Sequence, residues 1–292
     1  MKIKSKIKDY LLFTKVRLTF SFSISAVAGF LLAGGGTGIE FFYLLAGGFF
    51  VTSASIGSNQ IAERDLDAKM PRTADRPIPS GRMSVLEGVV LVIIFLALGS
   101  FLLYQLNFNT MLLGIISFVS YAFIYTPSKR HTPWAVVIGA FPGAIPPMIG
   151  AIGAIEGGAF GALPGALFLV QFIWQLPHFW AIAWVSNDDY QKAGFQLLPS
   201  KHGKSKIAAF RITFVSLLLI PFSLAPWALE LQGANLGMFT VTVASLLGLV
   251  FFLYSYKLFL TLDDRDAKRL MFASFIYLPL LQYTYVIDKY FF

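Results

Sequence analysis

Long apolar runs separated by short polar segments form the main pattern of this chain. A helix needs about 20 mostly apolar residues to cross a bilayer, and this length recurs nine times. The predicted spans lie near 18–36, 41–62, 85–105, 109–126, 134–154, 162–186, 207–228, 236–257 and 270–288. The stretch 134–168 is rich in Gly and Pro, which leaves a broken helix open there. The pattern predicts an all-α polytopic membrane protein with about nine transmembrane helices.

Composition agrees with a membrane protein, because 57% of the residues are hydrophobic and only 13% are charged. We expect a single membrane domain over 1–292, and its first 17 residues form a basic arm. The arm superficially resembles a secretory signal, but the apolar run that follows is long enough to span and shows no small-residue cleavage site. The chain has no cysteine, which excludes a disulfide framework, thiolate catalysis and Cys-ligated metals.

The positive residues predict an orientation. When nine spans are imposed, all of the 23 Lys and Arg residues except Lys289 fall on one side. By the positive-inside rule the N-terminus is then cytoplasmic and the C-terminus outside. We expect the membrane to be a bacterial cell (inner) membrane. A basic cytoplasmic face over anionic lipid explains much of the net charge of +8, so no nucleic acid partner is needed.

An acidic motif follows the second apolar run. Asn59, Glu63 and Asp67 are four residues apart, so on one helix they would share a face, with Asp65 pointing to the other side. Mg²⁺ prefers oxygen ligands of this kind and usually binds one or two carboxylates together with substrate phosphates. The motif predicts a metal and diphosphate site at the cytoplasmic face.

Two basic segments on the same side could complete such a site. Arg72 and Arg76 offer planar donor forks to phosphate oxygens, although ordinary loop charge is the alternative. Tyr125 precedes Lys129 by four residues where a span ends, so the two could bind a phosphate together. Tyr125 could also be only an interfacial aromatic anchor.

A third segment carries a second acidic pair, Asp188 and Asp189, at another span end. A pair facing the first motif would let two metal ions bridge a diphosphate, although a solvated pair is the alternative. His178, near Trp174, lies about two turns inside the same span. Because an ionisable residue inside the membrane is usually functional, His178 is a candidate site residue. The alternative is a neutral histidine that bonds to a neighbouring carbonyl.

Together these motifs resemble the protohaem IX farnesyltransferases, a branch of the UbiA-type intramembrane prenyltransferases. The matching blocks are Asn59-x-x-x-Glu63-x-Asp65-x-Asp67, Tyr125-Thr126 before Lys129-Arg130, Trp174-Gln175-x-Pro177-His178-Phe179-Trp180, and Asp189-Tyr190. The acidic motif is typical of the superfamily, and the Trp-Gln-x-Pro-His block is typical of the haem branch. Three positions depart from the family's usual residues: Glu63 for Asp, Ser186 for Arg and Ala135 for Asn.

The resemblance implies a helical bundle around a central lipid-open cavity. It implies farnesyl transfer from farnesyl diphosphate to a vinyl group of haem B, with addition of water, to give haem O, and haem A synthase or terminal oxidases as assembly partners. The implied Mg²⁺ ligands are Asn59, Glu63, Asp67, Asp188 and Asp189. The implied diphosphate contacts are Arg72, Arg76, Tyr125, Lys129 and Arg130, again with Asp188 and Asp189. For haem itself, His178 and Trp174 are hypotheses.

Three alternatives remain. A prenyltransferase for an aromatic quinone precursor such as 4-hydroxybenzoate would share the acidic motif. A secondary transporter would place ionisable residues near the midplane between repeats, whereas here the acids cluster at one face. A structural assembly factor would not need two acidic motifs on one side.

Overall fold

Every regular element is helical in the part of the chain that the structure describes. The computed structural model describes residues 2–71, 73–192, 194–200 and 202–292, without the side chains of residues 2–5, 17, 18 and 21. The α-helices are α1 Lys2–Thr14, α2 Val16–Leu32, α3 Ile39–Ala62, α4 Arg64–Asp67, α5 Val85–Tyr104, α6 Phe108–Val119, α7 Thr126–Ser128, α8 Ala135–Ala154, α9 Ala162–Val185, α10 Asn187–Lys192, α11 Lys206–Ala228, α12 Met238–Thr261 and α13 Asp264–Phe291. A π-helix, Ser120–Tyr125, joins α6 to α7, and a 3₁₀ turn, Glu156–Gly158, follows α8.

Eight helical segments among the described residues are long and apolar enough to cross a membrane, and α2 contributes a shorter apolar stretch, Phe22–Leu32. These agree with the predicted all-α polytopic fold of about nine spans. The bounds of the first predicted span, 18–36, are wrong, because α2 ends at Leu32. The glycines that follow, beginning with Gly34 at φ +98°, form the turn into α3. The chain is a multi-pass membrane protein.

Helix α8 lies at the centre of the bundle. It packs against α2 on one side and α9 on the other, and it contributes side chains to both buried apolar clusters. Glycines allow its close approach to α2. A Cβ at Gly29 would lie 2.1 Å from the Pro147 carbonyl oxygen, and a Cβ at Gly150 would lie 1.8 Å from the Ala26 oxygen. Small residues bring membrane helices together in this way.

The Gly and Pro content of 134–168 allowed a broken helix in this stretch, but α8 is not broken. The helix is continuous over 20 residues although it contains three prolines. Pro146 and Pro147 have no N–H to donate to the carbonyls of Pro142 and Gly143. Other helices supply the donors: Ser117 Oγ bonds Pro142 O at 3.3 Å, and Gln171 Nε2 bonds Gly143 O at 2.7 Å. The continuous helix is therefore supported by side chains from α6 and α9.

Helix α1 joins the rest of the bundle at the end where α3 stops. Gln60 Nε2 donates to the Phe13 carbonyl at 2.6 Å, and Arg82 Nε donates to Asp9 Oδ1 at 2.8 Å. These contacts hold the basic arm against the loop that follows the acidic motif. We call this end, which also carries the α8 and α11 starts and the α9 end, the motif end.

Candidate functional site

The acidic motif sits on a bent helical segment. Helix α3 ends at Ala62, and Glu63 has φ −100° and ψ 7°, so the single straight helix assumed for the motif is wrong. The four-residue spacing survives the bend, because Glu63 N bonds Asn59 O at 2.9 Å and Asp67 N bonds Glu63 O at 2.8 Å. Asn59, Glu63 and Asp67 are 4%, 5% and 1% exposed, whereas Asp65 is exposed. The motif therefore presents its side chains to the interior, as its spacing predicts.

Each buried carboxylate of the motif has a cationic partner. Lys129 Nζ, directly after α7, lies 3.0 and 3.2 Å from the two carboxylate oxygens of Glu63. Arg76, in the loop after α4, pairs with Asp67 through Nη1. Because unpaired charge is costly away from water, these partners make the burial of two carboxylates tolerable.

The pKa directions follow from this pairing. Burial disfavours the Lys129 ammonium, but the Glu63 carboxylate together with Tyr121 and Tyr190 more than compensates, so the pKa of Lys129 lies above its ordinary value. Burial raises the pKa of Asp67, while Arg76 acts in the opposite direction. Lys129 is therefore a fixed cation at neutral pH.

The donor set of the motif consists of oxygen atoms. Asn59 donates through Nδ2 to Thr126 Oγ1 at 3.3 Å, which leaves its Oδ1 as an acceptor, and Asn59 is buried like Glu63 and Asp67. Hard oxygen donors of this type fit Mg²⁺. In the described part of the chain, no three His, Cys, Asp or Glu side chains come together in a metal-binding group.

Two tyrosines lie next to the acidic motif on the π-helix. The segment Ser120–Tyr125 makes the wider turn where Pro127 cannot donate a backbone bond, and Thr126 Oγ1 bonds Tyr121 O at 2.9 Å. Lys129 Nζ stands 4.6 Å from the centre of the Tyr125 ring, and the two tyrosine rings are 5.1 Å apart. Sequence reasoning identified Tyr125 but missed Tyr121, which its position four residues earlier could have indicated.

A mostly apolar cavity opens beside these tyrosines. Its volume is about 770 Å³ including the mouth, and α2, α3, α8 and α9 supply most of its remaining wall. Two glycines of α8 keep space for larger neighbours. A Cβ at Gly139 would lie 2.5 Å from the Tyr125 ring, and one at Gly143 would lie 2.0 Å from Gln175 Oε1. Tyr125 lines this cavity, and its ring lies next to the Lys129 ammonium. An apolar cavity with a cation beside its wall suits a ligand with an anionic head and a hydrocarbon tail.

The other predicted phosphate and metal residues are less closely assembled. Asp188 is exposed, and Asp189 lies 4.0 Å from Lys192 on the same short helix α10. Tyr190, also on α10, contributes to the raised pKa of Lys129, so this helix lies near the first motif. Arg130 donates to Ala62 O at 3.2 Å, at the end of α3. The predicted site residue Arg72 lies outside the described residues.

His178 is buried in an aromatic setting. Its ring stacks on Trp174 at 4.5 Å, and Phe179 and Phe275 each lie 5.0 Å away. Its Nδ1 is 2.6 Å from Ser274 Oγ. The Ser274 hydroxyl donates to Met271 O, so it accepts from His178 Nδ1–H.

This tautomer leaves the Nε2 lone pair of His178 as a ligand or acceptor, and no described residue bonds to it. Ser274 O also accepts from Trp174 Nε1 at 3.1 Å, so α13 fixes both aromatic side chains. Sequence reasoning missed Ser274, which lies 96 residues beyond His178.

Comparisons with known proteins agree with this architecture. The model of the UbiA prenyltransferase family matches residues 22–278. The protoheme IX farnesyltransferase of Cytophaga hutchinsonii is 41% identical over 98% of this chain and 99% of its own length. That of Christiangramia forsetii is 43% identical over 98% and 95%.

Solved structures share the fold. A digeranylgeranylglyceryl phosphate synthase superposes with a TM-score of 0.80 at 19% identity, over 98% of this chain and 99% of the other. A UbiA homologue from Archaeoglobus fulgidus, bound to GPP and Mg²⁺, gives 0.68 at 16% identity, over 95% and 99%. The chain belongs to the UbiA prenyltransferase family, in the group of the protoheme IX farnesyltransferases.

Proposed function

We propose that this protein transfers the farnesyl group of farnesyl diphosphate to a vinyl group of haem B, with addition of water, to give haem O and diphosphate. The similarity to protoheme IX farnesyltransferases over nearly the whole chain supports this reaction. The observation that carries the chemistry is the pair of buried carboxylates, each with a cationic partner, beside an apolar cavity.

The diphosphate would bind at the motif end. Asn59, Glu63 and Asp67 would hold Mg²⁺, which supplies charge neutralisation on the leaving diphosphate. Their buried oxygen donors support this assignment. Lys129 and Arg76 would bind phosphate oxygens, because cations placed where charge develops stabilise the transition state. Arg72, Tyr125 and Arg130 would also contact the diphosphate. Asp188 and Asp189 would hold a second metal ion on the diphosphate.

The prenyl chain would occupy the apolar cavity. When the allylic C–O bond breaks, its electron pair leaves with the diphosphate and C1 of the farnesyl group becomes cationic. Water would quench this cation, so the apolar walls protect it, and the faces of Tyr121, Tyr125 and Phe179 can stabilise it. The terminal vinyl carbon then forms the new C–C bond, the inner vinyl carbon takes up water, and a proton is released.

The acceptor haem would bind near His178. We propose that Nε2 ligates the haem iron, because Nδ1 is held by Ser274 and the Nε2 lone pair has no partner among the described residues. Trp174 stacks on the imidazole and would fix its orientation. Neutral imidazole is a common iron ligand, and a hydrogen bond at the other ring nitrogen is its usual support.

We infer one membrane domain over 1–292, with the basic arm at its start, in a bacterial inner membrane. The positive residues at the motif end support a cytoplasmic N-terminus and active site, with the C-terminus outside. Haem A synthase or terminal oxidase assembly factors would receive the product.

The test is haem conversion by the purified protein in lipid, with haem B, farnesyl diphosphate and Mg²⁺, following product mass by chromatography. We expect haem O, and its loss with EDTA. Farnesyl transfer to 4-hydroxybenzoate in place of haem B would keep the diphosphate site and overturn the acceptor. No turnover of any prenyl diphosphate would overturn the proposed reaction.

A further inference from the structure

A second pocket at the motif end shares no residue with the apolar cavity. Its volume is about 770 Å³ including open solvent, and it lies between the start of α8, the side of α9 and the start of α11. Besides two prolines, it is lined by Trp134, Trp180, Ser200, His202, Ile207 and Arg211. We call it the interfacial pocket.

The polar groups of the interfacial pocket include several unused donors. Trp180 is 4% exposed, and its Nε1–H has no acceptor in the described part of the chain. Ser200 Oγ accepts from His202 N at 3.1 Å and from Ser205 Oγ at 2.9 Å, which leaves its own proton to donate. Arg211 gives Nη1 to Pro199 O at 2.6 Å and keeps its other N–H groups.

Among the described residues, no Asp or Glu lines the interfacial pocket. Buried polar groups normally have hydrogen-bond partners, and charged donors bind phosphate oxygens strongly. A donor-rich pocket without a carboxylate therefore suits an anion.

The position of the pocket favours a lipid as the source of that anion. Arg211 is five residues into α11, about 7.5 Å along the axis at 1.5 Å per residue. Exposed apolar side chains extend from the pocket along the same helix, at Ile207, Phe210 and Phe214. Trp134 is 59% exposed, as is common at the level of the headgroups.

We propose that the interfacial pocket binds the phosphate of one anionic phospholipid. Arg211, Trp180 Nε1–H and Ser200 Oγ–H bind the phosphate oxygens, and an acyl chain lies along Ile207, Phe210 and Phe214. This occupant satisfies both the donors and the apolar stripe, whereas a free phosphate would satisfy only the donors. The bound lipid would fasten the α9–α11 loop to the membrane surface.

The test uses the full-length protein in detergent, titrated with phosphatidylglycerol or phosphatidylcholine and analysed by native mass spectrometry. We expect one tightly held phosphatidylglycerol per chain. Arg211→Ala and Trp180→Phe each weaken its binding about tenfold, because each removes a donor to a charged group. Arg265→Ala is the matched control, since Arg265 is exposed at the same end and does not line the pocket. Its binding should equal that of the unmodified protein.

Several outcomes would overturn the proposal. Unchanged phosphatidylglycerol binding by Arg211→Ala or Trp180→Phe would exclude that side chain as a ligand and with it the proposed site. Equal retention of phosphatidylcholine would exclude selection for an anionic lipid. Release of the lipid by millimolar inorganic phosphate would assign a free-phosphate site, and release by haem B would assign part of the acceptor site. If Arg211→Ala fails to fold, Trp180→Phe, which keeps the aromatic packing, carries the same test.

Discussion

At the scale of single residues, the same side chains serve the folded protein and the proposed reaction. The sequence identified Glu63, Asp67, Lys129 and Arg76, but it assigned both cations to the diphosphate. In the structure they pair with the carboxylates. Lys129 and Glu63 are 66 residues apart, so their pairing depends on how α7 packs beside the end of α3. Spacing along one helix predicts which carboxylates share a face, and it carries no information about partners from other helices.

Replacing Lys129 by Met should reduce both stability and turnover. The change leaves the Glu63 carboxylate buried without its ammonium partner, at a cost of about 3–5 kcal/mol. Loss of an electrostatic contact in the transition state should lower kcat by about 10²–10³. Thermal unfolding and haem conversion measure the two effects, and Lys268→Met, at an exposed position of the motif end, is the control.

The double variant Lys129→Met with Glu63→Gln separates the two roles. It removes the unpaired charge, so its Tm should return toward that of the unmodified protein while turnover stays low. Equal Tm values for the single and double variants would contradict the pairing, and full activity of the single variant would contradict the phosphate role.

Replacing His178 by Ala should strongly reduce haem conversion while farnesyl diphosphate still binds. The Nε2 lone pair is the only part of the ring that the proposed iron contact uses, so added imidazole should restore part of the turnover. We expect a loss of about 100-fold, typical of a misplaced reactant, together with a changed Soret band of bound haem. Trp174→Phe keeps a stacked ring and should retain more activity. Unchanged turnover in His178→Ala would show that haem does not bind there.

At the scale of elements, the sequence predicted where apolar helices lie better than where they bend. Three features differ from what the local sequence pattern predicts. These are the end of α3 at Ala62, the π-helix before Pro127 and the continuity of α8 through its prolines. Hydropathy is a local property, so it predicts each span. The backbone bonds that α8 lacks at Pro146 and Pro147 are replaced by contacts from Ser117 and Gln171, which no local pattern contains.

Gln171→Leu tests this support of α8. It leaves Gly143 O without a donor and removes the acceptor of Gln282 Nε2, so the free energy of unfolding should fall by about 1–3 kcal/mol. Adding Pro147→Ala returns a backbone N–H opposite Gly143 O and should recover part of the loss. Gln105→Leu, exposed beyond the end of α5, is the control. If thermal unfolding of Gln171→Leu matches that of Gln105→Leu, the side-chain support is not needed.

At the scale of the whole molecule, one end of the bundle collects the acidic motif, its cations and the interfacial pocket. The distribution of Lys and Arg in the sequence predicted such an end, because the positive-inside rule needs only the number of spans between the charged loops. The size of the apolar cavity could not be predicted in this way. It depends on contacts such as those of Gly139 and Gly143 with Tyr125 and Gln175, which arise only when the π-helix, α8 and α9 pack together.

The absence of native cysteines makes the orientation directly measurable. Lys268→Cys lies exposed at the start of α13 and Glu156→Cys lies exposed in the turn after α8, at opposite ends of the bundle. In intact cells a membrane-impermeant maleimide should label Glu156→Cys, whereas Lys268→Cys should react only after the membrane is opened. The unmodified protein controls for background. The reverse pattern would place the motif end outside the cell, away from cytoplasmic farnesyl diphosphate. Labelling of both variants from outside would place both positions on the same side of the membrane and contradict the odd number of crossings between them. The proposed reaction therefore requires the first pattern, and the labelling tests it without reference to activity.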